Sequence, residues 1–88
     1  MHESKLVLDL VARAEQVARD NAPEVVKELH IRIGALSHVE PTALQRHMEI
    51  FMQDPLLANA TVIVTKSTDE DAREARGVVL TSINVTGG

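Results

Sequence analysis

The first three residues, Met1-His2-Glu3, carry the groups best suited to chemistry in this 88-residue chain. A free α-amine, the amide nitrogen of His2 and Nδ1 of its imidazole can close a five-membered and then a six-membered chelate ring on one metal ion. Tetragonal nitrogen and oxygen surroundings suit Ni(II) or Cu(II) rather than tetrahedral Zn(II). Because the amine and the amide must lose protons, affinity is expected to rise with pH. The alternative is a frayed chain end with a chance histidine.

Composition bounds the scaffold that must present these residues. A chain of this length predicts one domain with a thin, two-layer core. Aromatic content is 1%, the single ring being Phe51, and the net charge is -4, so a nucleic-acid surface is not expected. Cysteine is absent from the sequence, which excludes disulfides and any Cys-type zinc site in this chain. No apolar run reaches the roughly 18 residues of a membrane span, and we expect a cytoplasmic protein.

Apolar spacing predicts two helices. The first is expected over residues 5–20 with Ser4 as its N-cap, and it buries one broad apolar face. The second begins at Pro41, a residue suited to the first turn, with Glu40 placed where a negative charge favours the helix dipole. Its apolar residues fall at helical spacing and are assigned to the core: Leu44, Met48, Phe51 and Met52.

Period-two patterns predict three strands, over residues 25–33, 61–66 and 77–86. In the last of these, Val79, Thr81, Ile83 and Val85 are expected on one side and Val78, Leu80, Ser82 and Asn84 on the other. The predicted fold class is therefore α+β: two helices packed on one face of a small three-stranded mixed sheet, in the order α-β-α-β-β. The whole chain, residues 1–88, is read as a single domain.

Following the direction of each element brings three segments to one end of the domain. If consecutive elements pack antiparallel and the second strand is reached by a crossover, the N-terminus meets residues 36–40 and the connection 67–76. His38, Glu40 and the acidic run Asp69-Glu70-Asp71 then become candidates for a further metal ligand or for hydrogen bonds to the imidazole. An exposed loop histidine is the alternative reading of His38. His30 and His47 are discounted because they lie on an exposed strand face and farther along a helix.

These residues resemble the HypA/HybF family of hydrogenase maturation proteins, which insert nickel into [NiFe]-hydrogenase and in some organisms urease. Met1-His2-Glu3 opening a helix is similar to the family's N-terminal nickel motif. The stretch Ile31-Arg32-Ile33-Gly34-Ala35-Leu36-Ser37-His38-Val39-Glu40-Pro41, followed by Leu44, is similar to its strand, glycine turn and second-helix start. The resemblance implies that His2 is the essential Ni(II) ligand, assisted by the Met1 amine and nearby amides, with Glu3 and Glu40 beside the site.

The chain departs from this family in one respect. Family members carry a zinc module with two CxxC pairs between the last two strands, whereas residues 67–76 form a short, polar connection here. Zinc is therefore not expected as a cofactor.

Three functions follow for testing. The first is a non-enzymatic nickel metallochaperone that passes Ni(II) to a hydrogenase maturation GTPase or to the large subunit of a nickel enzyme. The second is a zinc-free adaptor or regulator that keeps the fold but no longer delivers metal. An enzyme is disfavoured, because a small, aromatic-poor domain has little room for a substrate pocket and no nucleophile and base constellation is visible.

Overall fold

Five elements make up the computed structural model, which describes the backbone of residues 2–85 and the side chains of residues 5–85. In chain order they are α1 (His2–Asp20), β1 (Val26–Ile33), α2 (Pro41–Phe51), β2 (Thr61–Lys66) and β3 (Val78–Val85). The order α-β-α-β-β is the predicted one. The peptide bond between Ala22 and Pro23, in the turn from α1 to β1, is cis.

The sheet has β1 at its centre, in the order β2-β1-β3. β1 runs parallel to β2, with Leu29 opposite Val62, and antiparallel to β3, with Leu29 opposite Ile83. The parallel pair requires the crossover that α2 provides. The predicted strand directions and the α+β class with a mixed sheet are therefore confirmed.

The core lies between the two helices and one face of the sheet. On β1, buried Leu29, Ile31 and Ile33 alternate with His30 and Arg32, which lie on the other face. The helices contribute a second group of buried side chains to the core: Val7, Leu10, Val11, Ala14 and Ala18 from α1, and Leu44 and Met48 from α2. With both helices on one face, the opposite face of the sheet is left uncovered by them.

A bulge in β3 corrects the predicted alternation of that strand. His30 pairs with Ser82, but Ile31 pairs with Leu80, so Thr81 is an extra residue between the two pairs. Its hydroxyl donates to the carbonyl of His30 at 3.0 Å. Because paired residues share a face, Val78 and Leu80 join Ile83 and Val85 on the core side, where all four pack against the core.

Two predictions about the helices are also corrected. α1 begins at His2 rather than at Lys5, so Ser4 lies within the helix and is not its cap. No glycine or proline in residues 2–4 opposes helix formation, and Glu3 in the first turn favours it. Helical spacing places Phe51 in the core, but the ring is 42% exposed at the last position of α2, so this prediction is wrong. The stripe that packs inward is Leu44, Met48 and Met52, at a spacing of four.

Candidate metal centre

The start of α1 lies beside the start of β3. Leu6 and Leu10 of α1 line a cavity of about 200 Å³ together with Val78 and Leu80. Farther along, Val17 lines a second cavity of about 310 Å³ with Ile83. α1 and β3 therefore run side by side in the same direction, and the N-terminal end of the helix is level with Val78.

The loop after β1 and the connection 67–76 meet at this same end. Leu36 N–H donates to the carbonyl of Ala75 at 2.7 Å, and Ser67 N–H donates to the carbonyl of Ile33 at 2.8 Å. Val78 pairs with Ile33, the last residue of β1. The N-terminal end of α1, residues 36–40 and the connection 67–76 thus occupy one end of the domain, as the direction of the elements predicted.

The predicted chelate itself falls at the limit of what the structure describes. Met1 lies outside the described residues, and so do the side chains of His2 and Glu3. The backbone of His2 and Glu3 belongs to the first turn of α1. Amides in a first turn have no carbonyl partner four residues earlier, so a metal can bind one without breaking a helix hydrogen bond. The positive end of the helix dipole also favours loss of a proton there.

His38 is exposed on the loop after β1, and the residue before it, Ser37, is held in place. Ser37 is only 8% exposed, and its hydroxyl accepts a hydrogen bond from Val39 N–H at 3.3 Å. Its carbonyl accepts from the ammonium of Lys66 at 3.4 Å. The loop backbone on both sides of His38 is therefore held, while the imidazole is open to solvent. Such an arrangement suits a ligand that meets an ion arriving from solution.

Lys66 was not singled out from the sequence. It ends β2 and pairs with Ile33 in the parallel register, which brings its side chain next to the loop after β1. Only the pairing register between two distant segments reveals this contact, so no local sequence signal could have predicted it.

Glu40 is the N-cap of α2. Its Oε2 accepts hydrogen bonds from Thr42 N–H and, at 3.3 Å, from Ala43 N–H, and Pro41 occupies the first turn. The predicted favourable placement of this charge at the start of the helix is confirmed. Both hydrogen bonds engage Oε2, so a metal ion bound by that oxygen would compete with the cap, whereas one bound by Oε1 alone would not. A role for Glu40 in binding nickel stays a prediction.

Hydrogen bonds between side-chain oxygens and backbone amides within the connection hold the acidic run Asp69-Glu70-Asp71. Asp69 Oδ1 accepts from Asp71 N–H at 3.0 Å, and Asp69 N–H donates to the hydroxyl of Ser67 at 3.1 Å. Asp69, Glu70 and Asp71 are all exposed. Among the described residues, no group of three or more histidine and acidic side chains is arranged to hold a metal ion.

The two discounted histidines lie elsewhere, as predicted. His30 is on the uncovered face of the sheet, where Nε2 is 3.1 Å from Glu28 Oε1, and Asn84 Nδ2 donates to the same oxygen at 2.8 Å. These hydrogen bonds, first the one from His30 and then the one from Asn84, lower the pKa of the Glu28 carboxyl. His47 is half-buried in the middle of α2.

Comparison with known proteins places this fold and terminus in a family. The family model described as "Hydrogenase/urease nickel incorporation, metallochaperone, hypA" matches residues 1–73, which include the N-terminal triplet, both helices and β1 and β2. The chain belongs to this family of nickel-incorporation metallochaperones.

Curated relatives are hydrogenase maturation factors HypA. The protein from Shewanella oneidensis is 35% identical over 65 residues, which is 74% of this chain and 55% of the relative. The protein from Aquifex aeolicus is 33% identical over 64 residues, covering 73% of this chain and 56% of the relative. The chain thus spans about half the length of the curated relatives that it matches.

A solved structure shares the fold. The solution structure of the Ni metallochaperone HypA from Helicobacter pylori superposes with a TM-score of 0.76 at 14% sequence identity, covering 94% of this chain and 96% of that one. At this level of identity the likeness concerns the architecture, two helices on a three-stranded sheet, and not the individual site residues.

Proposed function

We propose that this chain is a nickel metallochaperone that binds Ni(II) at its N-terminus and delivers it during maturation of a nickel enzyme such as [NiFe]-hydrogenase. The observation that carries the proposal is the family match from residue 1 to residue 73. The match includes Met1-His2-Glu3 and the elements that bring residues 36–40 to the same end of the domain.

The proposed ligands are the Met1 amine, the His2 amide and the His2 imidazole, with Glu3 beside them. We infer that His38 supplies the fourth position of a square-planar ion, because imidazole suits Ni(II) and the side chain is exposed at this end of the domain. Glu40 is the weaker candidate, since Oε2 already accepts two backbone hydrogen bonds. A water molecule or a group from the acceptor protein is the remaining possibility.

The acceptor of the metal is proposed to be a hydrogenase maturation GTPase or the large subunit of the nickel enzyme. Copper binds a nitrogen site of this kind more tightly than nickel, so a specific acceptor protein would be needed to select nickel. Neither helix in residues 2–85 has the length and apolar character needed to cross a bilayer. The second function, a zinc-free adaptor on the same fold, differs in having no metal to release.

The test is a Ni(II) titration of the untagged protein with its native N-terminus. We expect the visible absorption of square-planar Ni(II), release of protons on binding and an affinity that rises with pH. His2→Ala and N-terminal acetylation should each abolish these signals. His47→Ala, which removes a histidine from the middle of α2, is the matched control and should titrate like the wild type.

Equal behaviour of the wild type and His2→Ala would rule out the proposed chelate and favour the adaptor.

His38→Ala is compared in the same titration. We expect a weaker affinity and a shifted absorption band, because one nitrogen ligand is lost while the other three remain. An unchanged spectrum would assign the fourth position to water or to a group of the acceptor.

A further inference from the structure

We propose that Glu28, His30 and Asn84 form a site for a divalent metal ion such as Zn(II) or Ni(II), separate from the N-terminal chelate. Glu28 and His30 lie two residues apart on β1, the central strand, so their side chains project from the same face of the sheet. This is the face that the two helices leave uncovered. His30 Nε2 lies 3.1 Å from Glu28 Oε1, and Asn84 Nδ2 donates to the same oxygen at 2.8 Å. An imidazole, a carboxylate and an amide thus converge on one point, and imidazole and carboxylate groups are ligands for such ions.

The separation of the two main donor atoms fits one ion. Metal-ligand bonds of about 2.1 Å place two ligand atoms about 3.0 Å apart at a right angle and about 3.4 Å apart at the tetrahedral angle. The observed 3.1 Å between His30 and Glu28 lies between these values. An ion can therefore replace the proton between Nε2 and Oε1 with little movement of either side chain. A half turn of the Asn84 amide exchanges Nδ2 for Oδ1 and supplies a third ligand.

The surroundings leave room for water and carry no free cation beside the two ligands on β1. The side chains of His30 and Glu28 are 33% and 40% exposed, so water can complete the coordination. Arg32, the next side chain of β1 on this face, lies 3.4 Å from Glu74 and is paired with that carboxylate. The charge of Glu28 then remains to offset that of a bound ion.

A bulge in β1 turns Glu28 toward this face. Val26 pairs with Val85 and Glu28 pairs with Asn84, so Lys27 is an extra residue between the two pairs. Val26 is buried in the core, and simple alternation would place Glu28 on the core side as well. The extra residue instead brings Glu28 beside His30.

The bulge at Thr81 has the same effect in β3. Leu80 packs against the core, and without the extra residue Ser82 and Asn84 would follow it to that side. They lie instead on the uncovered face, opposite His30 and Glu28. The Thr81 hydroxyl also donates to the carbonyl of His30 at 3.0 Å, which holds the backbone of that residue. Bulges often lie next to functional sites, where they redirect a side chain, and here two of them direct three polar groups to one point.

The test is a Zn(II) titration of the full chain carrying His2→Ala, which removes the N-terminal chelate, followed by NMR of the histidine rings. Zn(II) is diamagnetic, so the ring signals stay observable. We expect the His30 signals to shift and saturate with one bound ion, at lower Zn(II) concentration than any change at His38 or His47. Glu28→Gln keeps a hydrogen-bonding side chain of the same size but no carboxylate, and should weaken binding roughly tenfold or more.

Asn84→Asp is the variant that should strengthen the site, because it sets a second carboxylate opposite Glu28. Without metal, the two like charges should lower the free energy of unfolding. Zn(II) should restore that stability and bind more tightly than in the parent chain. A hydrogen-bonded pair with no affinity for metal would show the destabilisation but no recovery.

Glu49→Gln, which removes an exposed carboxylate from α2, is the matched control and should titrate like the parent chain. The proposal is overturned if His30 does not shift up to millimolar Zn(II), or if His30, His38 and His47 shift alike. An affinity unchanged by Glu28→Gln overturns it too. None of these results bears on the nickel titration, because the titrated chain lacks His2.

Discussion

Glu40 shows how one side chain can look like a metal ligand and also have a structural role. Its carboxylate lies at the end of the domain where the nickel site is proposed, yet Oε2 already accepts the amides of Thr42 and Ala43. An N-cap satisfies amides that the helix itself leaves unpaired. Mutating Glu40 to alanine would remove cap and charge together, and could not tell the two roles apart.

Glu40→Ser separates them, because serine can cap a helix but offers no carboxylate. We expect Glu40→Ala to lower the free energy of unfolding by about 1 kcal/mol, and Glu40→Ser to lower it by much less. Both variants should bind Ni(II) like the wild type if the carboxylate serves only the helix. Urea unfolding and the nickel titration provide the two measurements. Loss of nickel affinity in both variants, irrespective of stability, would identify Glu40 as a ligand.

At the scale of elements, the connection 67–76 is fixed where it crosses the end of β1. A Cβ added to Gly34 would come within 2.2 Å of the carbonyl oxygen of Ala75 and 2.3 Å of that of Glu74. Both atoms are backbone, and they cannot move without displacing the segment. Ala75 is itself buried, at 4% exposed. Glycine at position 34 is therefore required by the close approach of another chain segment.

Gly34→Ala is expected to destabilise the domain by about 1–3 kcal/mol, the usual cost of forcing extra volume into a packed site. Gly77→Ala is the matched control, because its Cβ would meet only the carbonyl oxygen of Glu74 at 3.8 Å, an ordinary contact. Its effect should be close to neutral. Urea unfolding of both variants measures the difference. Equal stabilities would mean that the crossing segment can move aside from Gly34.

Local pattern predicted these elements well but misplaced details that depend on the neighbours of an element. The five elements follow from apolar spacing, and the relative directions of the two strand pairs follow from the order of the elements along the chain. The bulge at Thr81 does not, because alternation alone cannot show that His30 and Ile31 pair with residues two apart in β3. The start of α1 at His2 was also missed, since Ser4 is acceptable either as a cap or inside the first turn.

For the whole molecule, one core must support both helices and the sheet. Met48 is fully buried, whereas Phe51, three residues later on the same helix, is 42% exposed. The sequence assigned both to the core because they fall on overlapping faces of a helix. Burial distinguishes them: Leu44 and Met48 of α2 and Met52 directly after it face inward, whereas Phe51 lies at the margin of the core.

Met48→Ala is expected to cost about 2–5 kcal/mol in the free energy of unfolding, as a truncation that leaves a cavity. Phe51→Ala should cost clearly less, because a large part of the ring is already in water. Thermal or urea unfolding of the two variants gives the comparison. If Phe51→Ala proved less stable than Met48→Ala, the prediction would be wrong, and the ring would contribute more packing than its 42% exposure indicates.

The directions of the helices and strands predict which segments meet at the site, but not the contacts between them. Direction brings the N-terminus, residues 36–40 and the connection to one end, and the hydrogen bonds from Leu36 and Ser67 agree with that arrangement. The donors and acceptors that fix the loop around His38 depend on long-range register. Lys66 reaches Ser37 only because it lies opposite Ile33. The periodicity of a single element cannot predict this contact between Lys66 and Ser37.

The anchoring of the connection makes this end of the domain tolerant of insertions. Ser67 N–H donates to the carbonyl of Ile33, the last residue of β1, and Gly34 N–H, from the next residue, donates to the carbonyl of Gly77 at 2.8 Å, so both ends are attached at the end of β1. The flanking strands lie on either side of β1, about 10 Å apart. Doubling a flexible loop costs only about 0.6 kcal/mol in closure entropy. A peptide or a small folded unit grafted into the exposed residues 68–71, away from the buried Ala75, should therefore leave the sheet register intact, which makes this position suitable for attaching a reporter.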